Sequence, residues 1–209
     1  MKDLIRQEVE SAILAINALK EEKAIKFIYE VAHMIADAYK DKKKIIIAGN
    51  GGSLCDGMHF AEELTGQFRQ SRKALPAISL SDPGFLSCTA NDFGYEHVFS
   101  RGIEAHGNKG DVFIALTTSG NSKNLLLAVN KAKEIGLSTV VFLGKDGGLM
   151  KGRGDKELLI EGFSTSDRIQ EAHMSAIHII IQMVEELLFY GSALKEVQHV
   201  RESISKCKA

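Results

Sequence analysis

A chain of 209 residues, 44% apolar and 25% charged, can bury a sizeable core, which excludes an intrinsically disordered protein. Lys and Arg number 26 against 27 Asp and Glu, and a net charge of -1 argues against broad binding to nucleic acid or an anionic membrane. Cys55, Cys88 and Cys207 are odd in number and widely spaced, which suits a reduced compartment better than a disulfide framework. A cytoplasmic protein is expected. Residues 1–8 show no export signal, and no uninterrupted apolar run approaches a membrane span.

The first forty residues predict a helical pair, with Ile5, Val9, Ile13, Ile16 and Leu19 at helical spacing, then Ile25, Ile28, Ala32, Ile35 and Tyr39. Short apolar runs follow: Lys44-Ile45-Ile46-Ile47-Ala48-Gly49, Ala77-Ile78-Ser79-Leu80, Val112-Phe113-Ile114-Ala115-Leu116, Thr139-Val140-Val141-Phe142-Leu143 and, more weakly, Glu157-Leu158-Leu159-Ile160. Such runs alternating with helical stretches predict an α/β fold, a five-stranded parallel sheet flanked by helices in the doubly wound, flavodoxin-like manner. Residues 167–189 predict a long helix, apolar nearly all round. In a tail from 190 to 209, Leu194, Val197, Val200 and Ile204 hint at an amphipathic helix. The expectation is one domain over 1–209: helices to residue 40, an α/β core over 41–189, then the tail.

In such sheets ligands bind beyond the carboxyl ends of the strands. The loop after the first strand is Gly49-Asn50-Gly51-Gly52-Ser53, which exposes amides to an anion or is a tight turn only. It lacks the third glycine of a dinucleotide fingerprint and the Gly-Lys-Ser/Thr of a nucleotide loop, so neither NAD nor ATP is expected. After the third strand, Thr117-Thr118-Ser119-Gly120-Asn121-Ser122 places four hydroxyls before a helix. Capping needs one of them, whereas four favour a lysine-free phosphate cradle.

His59 and Glu63, four apart, share a helix face, as do Asp167, Gln170, Met174 and His178 on the late helix. Taken singly, such residues are more often a surface hydrogen bond or a core histidine. If the two helices meet, Glu63 and His178 supply a general base and a general acid. Sequence alone leaves that meeting open.

Several stretches together resemble the sugar isomerase (SIS) domain family and, within it, the phosphoheptose isomerases. They are the two loops above, Met58-His59-Phe60-Ala61-Glu62-Glu63-Leu64-Thr65-Gly66, Asn91-Asp92-Phe93-Gly94, Gly144-Lys145-Asp146-Gly147-Gly148 and Asp167-Arg168-Ile169-Gln170-Glu171-Ala172-His173. The resemblance implies isomerisation of sedoheptulose 7-phosphate, a phosphorylated heptose, with Glu63 as base, His178 as acid/base partner and Asp167 in support. It further implies that Asn50, Gly51, Gly52, Ser53, Asn91, Asp92 and Gln170 line the sugar. Thr117, Thr118, Ser119 and Ser122 would hold the phosphate. His59, Glu63, Gln170 and His178 would bind zinc, in a homotetramer with active sites between subunits. Leu54 and Thr117 stand where relatives often carry His and Ser. Two alternatives remain at this level: a non-catalytic SIS protein that associates with a replication initiator, and another phosphosugar enzyme of the class.

Overall fold

The computed structural model describes residues 1–191, so the pattern of Leu194, Val197, Val200 and Ile204 lies outside the described residues. The expected N-terminal pair is α1 (Lys2–Asn17) and α2 (Glu22–Lys40), joined by a single 3-10 turn. The two helices differ in what they bury. α2 covers the sheet with Phe27, Ile28, Val31 and Ile35, whereas α1 buries Ala15 and leaves Leu4, Ile5, Val9 and Ile13 about half exposed.

Five strands form the sheet: β1 (Ile45–Gly49), β2 (Ala77–Ser79), β3 (Val112–Leu116), β4 (Ser138–Gly144) and β5 (Lys156–Ile160). All neighbours pair in parallel, in the order β2-β1-β3-β4-β5. The connecting helices are α3 (Gly52–Thr65), α4 (Pro83–Phe93), α5 (Val98–His106) and α6 (Lys123–Glu134), and α7 (Ser166–Glu185) follows β5.

Strand side chains alternate between two cores because their period is two. Ile45, Ile47, Ile114, Val140 and Phe142 join the core under α2, α3 and α7, while Ile46, Ala48, Phe113, Ala115 and Val141 join the core under α5 and α6. A sheet buried on both faces has no polar side, which is why its strands read as unbroken apolar runs.

The long apolar helix is α7, continued by a π-helical turn over Glu186–Tyr190. By length and composition alone Ser166–Tyr190 is long and apolar enough to cross a membrane, although Asp167, Arg168, Glu171, Glu185 and Glu186 interrupt it. Here Ile169, Ala172, Ile177, Ile180 and Val184 are instead buried against the sheet and its neighbouring helices. A core helix under two layers meets the same compositional test.

From β1 the chain turns to β2 on one side, and β3 lies on the other. A crevice therefore opens beyond the carboxyl ends of β1 and β3, the switch point where ligands bind in such sheets.

Candidate functional site

A polar cavity of about 270 Å³ occupies that crevice. Asn50, Gly52 and Ser53 line it from the loop after β1, and Thr117, Thr118, Ser119 and Ser122 from the loop after β3; Ser166 and Gln170 approach from the start of α7. Two glycines let these segments close up. A Cβ on Gly52 would fall 2.5 Å from Gln170 Nε2, and one on Gly120 would fall 1.8 Å from the Gly147 carbonyl oxygen. Gly120 also has φ +65°, which L residues avoid.

The hydroxyls are not equally engaged. Thr117 Oγ1 accepts from the Gly120 N–H at 3.1 Å, shaping the turn, and Thr118 Oγ1 pairs with Ser166 Oγ at 2.9 Å. Ser119 Oγ accepts a long 3.3 Å bond from the Asn121 N–H. Ser122 occupies the N-cap position of α6, yet its side chain makes no capping bond. The capping reading of this loop therefore leaves the Ser122 hydroxyl unused, next to a helix start with amides to offer.

Asn50 is held in place by a reciprocal amide pair with Asn124, at 3.0 and 2.9 Å, and by the Tyr95 hydroxyl, which donates to Asn50 Oδ1 at 2.9 Å. Gly51, with φ +56°, begins α3 beside it. Asn91 and Asp92 lie elsewhere, exposed on α4, where Asn91 Nδ2 donates to Asp92 Oδ1 at 2.8 Å. They do not line the cavity.

A second cluster forms where α3 packs on α7. His59, Glu63 and His178 present ligand atoms that all lie within 4.8 Å of one another, so they could hold a metal ion. His59 Nε2 is 3.3 Å from Glu63 Oε1 and 3.1 Å from His178 Nε2. Burial pushes the His178 imidazole below its ordinary value, helped by His59 and opposed by the Glu63 carboxylate. Phe68 stacks on the His178 ring at 5.8 Å and carries the Arg69 guanidinium on its own face.

The two clusters sit at opposite ends of the same helices. At 1.5 Å per residue, Glu63 lies ~15 Å along α3 from Ser53, and His178 ~18 Å along α7 from Ser166. Gln170 belongs to the cavity end: it donates to Ser53 Oγ at 3.4 Å and stands ~12 Å along α7 from His178. Asp167 also stays at that end, exposed, with hydrogen bonds from Thr165 and Arg168 holding its carboxyl at about 2.

Four residues near these clusters escaped the sequence reading: Ser166, Asn124, Tyr95 and Phe68. Ser166 had a signal, a hydroxyl at the start of a helix that faces the sheet's carboxyl edge. The other three touch the sites through contacts that no local spacing encodes.

Comparison with known proteins gives a consistent picture. Residues 9–144 match the model of the SIS domain family. A phosphoheptose isomerase of Sodalis glossinidius is 50% identical over 186 residues, covering 88% of this chain and 96% of the relative. One from Fusobacterium nucleatum is 52% identical over 178 residues, covering 85% and 91%. Among solved structures, a phosphoheptose isomerase from Neisseria gonorrhoeae superposes with a TM-score of 0.81 at 30% identity, over 88% of this chain and 98% of that one. Another, from Francisella tularensis, gives 0.83 at 28%, over 88% and 97%.

Proposed function

The chain belongs to the SIS domain family, and we propose that it is, like its phosphoheptose isomerase relatives, an isomerase of sedoheptulose 7-phosphate. The product is the aldose glycero-manno-heptose 7-phosphate, a precursor of surface polysaccharide. The observation that carries this reading is the convergence of the Glu63 carboxylate and His59 imidazole of α3 with the His178 imidazole of α7, 115 and 119 residues further along the chain. The hydroxyls of Thr117, Thr118, Ser119 and Ser122 gathered at the cavity support it.

Moving a carbonyl between adjacent carbons requires a base at carbon and a proton donor at oxygen. Glu63 takes the proton from one carbon and returns it to its neighbour, through an enediolate. The partly buried His178 exchanges the hydroxyl proton. Thr117, Thr118, Ser119 and Ser122 hold the phosphate, and its binding energy fixes the reacting end. Asn50, Gly51, Gly52, Ser53 and Gln170 line the sugar. Asn91 and Asp92, exposed on α4 away from this cavity, would join them only across a subunit contact. Asp167 supports the start of α7 by holding Arg168, which reaches back to the Glu8 carbonyl of α1.

Zinc suits the second cluster. Ligands at 2.0–2.1 Å around a tetrahedral ion stand ~3.3 Å apart, close to the 3.3 and 3.1 Å edges of this triad. The bound ion would supply Lewis-acid stabilisation of the enediolate oxygens. Gln170, placed at the cavity, joins His59, Glu63 and His178 only across a subunit contact.

The same separation argues for assembly. A seven-carbon sugar phosphate spans roughly 10 Å from phosphorus to its reacting end at bond lengths of ~1.5 Å, too short to join the cavity and triad of one chain. We therefore assign the active site to the interface of a homotetramer, in which the cavity of one subunit faces the triad of another. Apolar surface is available for that contact: the exposed face of α1, and a groove of about 780 Å³ lined by Leu19, Ile28, Tyr29, Ile179 and Met183. Such an enzyme works in the cytoplasm.

Incubating the protein with sedoheptulose 7-phosphate in deuterated water tests the reading. Appearance of the aldose with deuterium at the proton-transfer carbon is expected. Tight binding of the sugar phosphate with neither interconversion nor exchange would refute catalysis and leave the non-catalytic SIS reading.

A further inference from the structure

α3 ends without the left-handed glycine that closes many helices. Gly66 has φ −86° and ψ −111°, and its N–H satisfies only the Glu62 carbonyl, at 2.7 Å. The next two carbonyls are met by a side chain from the connector beyond. Arg72 Nη2 donates to the Glu63 carbonyl at 2.6 Å and Nη1 to that of Leu64 at 2.8 Å, with longer 3.3 Å contacts to Gly66 and Lys73. Its Nε donates to Glu185 Oε1 at 2.7 Å. The two side chains are 1% and 3% exposed.

Burying both charges costs so much desolvation that a well-packed apolar pair is often as stable or more so. Stability is thus a weak reason for this ion pair. What the guanidinium offers is a rigid fork, planar and five-donored, that a lysine cannot imitate. One edge holds the last carbonyls of α3, where positive charge also complements the helix dipole. The other edge holds α7, at a glutamate seven residues past His178. The fork bonds to the backbone of Glu63 itself.

We propose that Arg72, braced by Glu185, is a positioning residue for the His59, Glu63 and His178 cluster. It fixes the turn that carries Glu63 against the helix that carries His178, so the carboxylate and the imidazole keep their separation through turnover. The proposal rests on the role given to that cluster above. It adds a residue outside the stretches quoted above for the resemblance, joined to the cluster through backbone carbonyls.

The test uses three variants of the full-length protein. Arg72→Lys keeps the cation but cannot span both edges. It should lose about 10²-fold in kcat, the scale of a ~1 Å misplacement, while KM for the phosphorylated sugar stays within about two-fold. Glu185→Gln keeps an acceptor for Nε and should lose less. The double variant Arg72→Met with Glu185→Leu removes both charges at similar volume. It should melt no lower than the parent yet share the kcat loss, a split that a merely structural role would not give. Zinc titration reads the cluster without turnover, and the dissociation constant should rise about 10-fold or more in Arg72→Lys. If the parent neither isomerises the sugar nor binds zinc, the contact between His59 and His178 protons, whose rings lie 5.1 Å apart, serves as the readout in histidine-labelled protein. Its weakening in Arg72→Lys supports positioning even then. Folded Arg72→Lys and double variants with parental kcat, zinc affinity and ring contact overturn the proposal.

Discussion

The cavity and the triad are built in opposite ways. The cavity is made of loops at strand ends, and its donors come from two short runs, residues 49–53 and 117–122, with Ser166 and Gln170 added from α7. The triad is made of side chains from the far halves of two helices, and its parts meet only because α3 and α7 pack together. In the first, each loop carries several donors. The second has one carboxylate and two rings, each irreplaceable in position. The proposed chemistry thus falls where redundancy is lowest.

The sharpest way to break this contrast is Glu63→Gln, which keeps size and removes the basic oxygen. Turnover should fall by ~10²–10⁴-fold or more with sugar-phosphate affinity kept, as calorimetry and steady-state rates can show. Near-normal turnover would remove Glu63 from the chemistry.

Acid should strain the rod that joins the two regions. His173 lies on α7 between Gln170 and His178, fully buried, with Nε2 2.9 Å from the Leu143 carbonyl, and burial holds its imidazole at about 4 against an ordinary 6.5. The unfolded chain protonates first, so the stability present above pH 6.5 drains away as pH falls toward 4, by about 3 kcal/mol in all. Between pH 7 and 5, His173→Gln should show a shallower loss of melting temperature than the parent. Equal slopes would mean that another group governs acid sensitivity.

Metal distinguishes the regions at a similar scale. Zinc at ~100-fold above its dissociation constant should stabilise the protein by ~2.7 kcal/mol, and His59→Ala should abolish that gain while leaving a cooperative melt. Ser122→Ala should not affect it. An undiminished zinc response in His59→Ala places the ion elsewhere.

The smallest effect belongs to the redundant region. Ser122→Ala should weaken binding of the phosphorylated sugar by about 1 kcal/mol, roughly five-fold, because three hydroxyls remain. Sedoheptulose without its phosphate should bind weakly to parent and variant alike. Equal affinity for the two sugars would remove the phosphate cradle.

The same contrast governs what could be read from the sequence. All five strands were visible because a doubly covered sheet leaves unbroken apolar runs, and even the three-residue β2 showed as Ala77-Ile78-Ser79-Leu80. Both loops were visible because their donors are neighbours in the chain. The meeting of Glu63 with His178 was not, since helical spacing places each on a face without saying which faces pack. Arg72 was less legible still. Its partners near the triad are carbonyl oxygens, which every residue owns, and its carboxylate lies 113 positions away. The apolar wrap of α7 was seen, but not that it would meet the compositional test for a membrane span.

The placement of cavity and triad at opposite ends of α3 and α7 has a genetic consequence. In the interface site proposed above, each subunit would lend its cavity to one reaction and its triad to another, so a defect in either half would be shared rather than confined. A chain crippled at Ser119 and Ser122 and a chain crippled at Glu63 should each be inert as a pure assembly. Co-assembled, they should regain part of the lost activity, because some interfaces then pair the intact cavity of one with the intact carboxylate of the other.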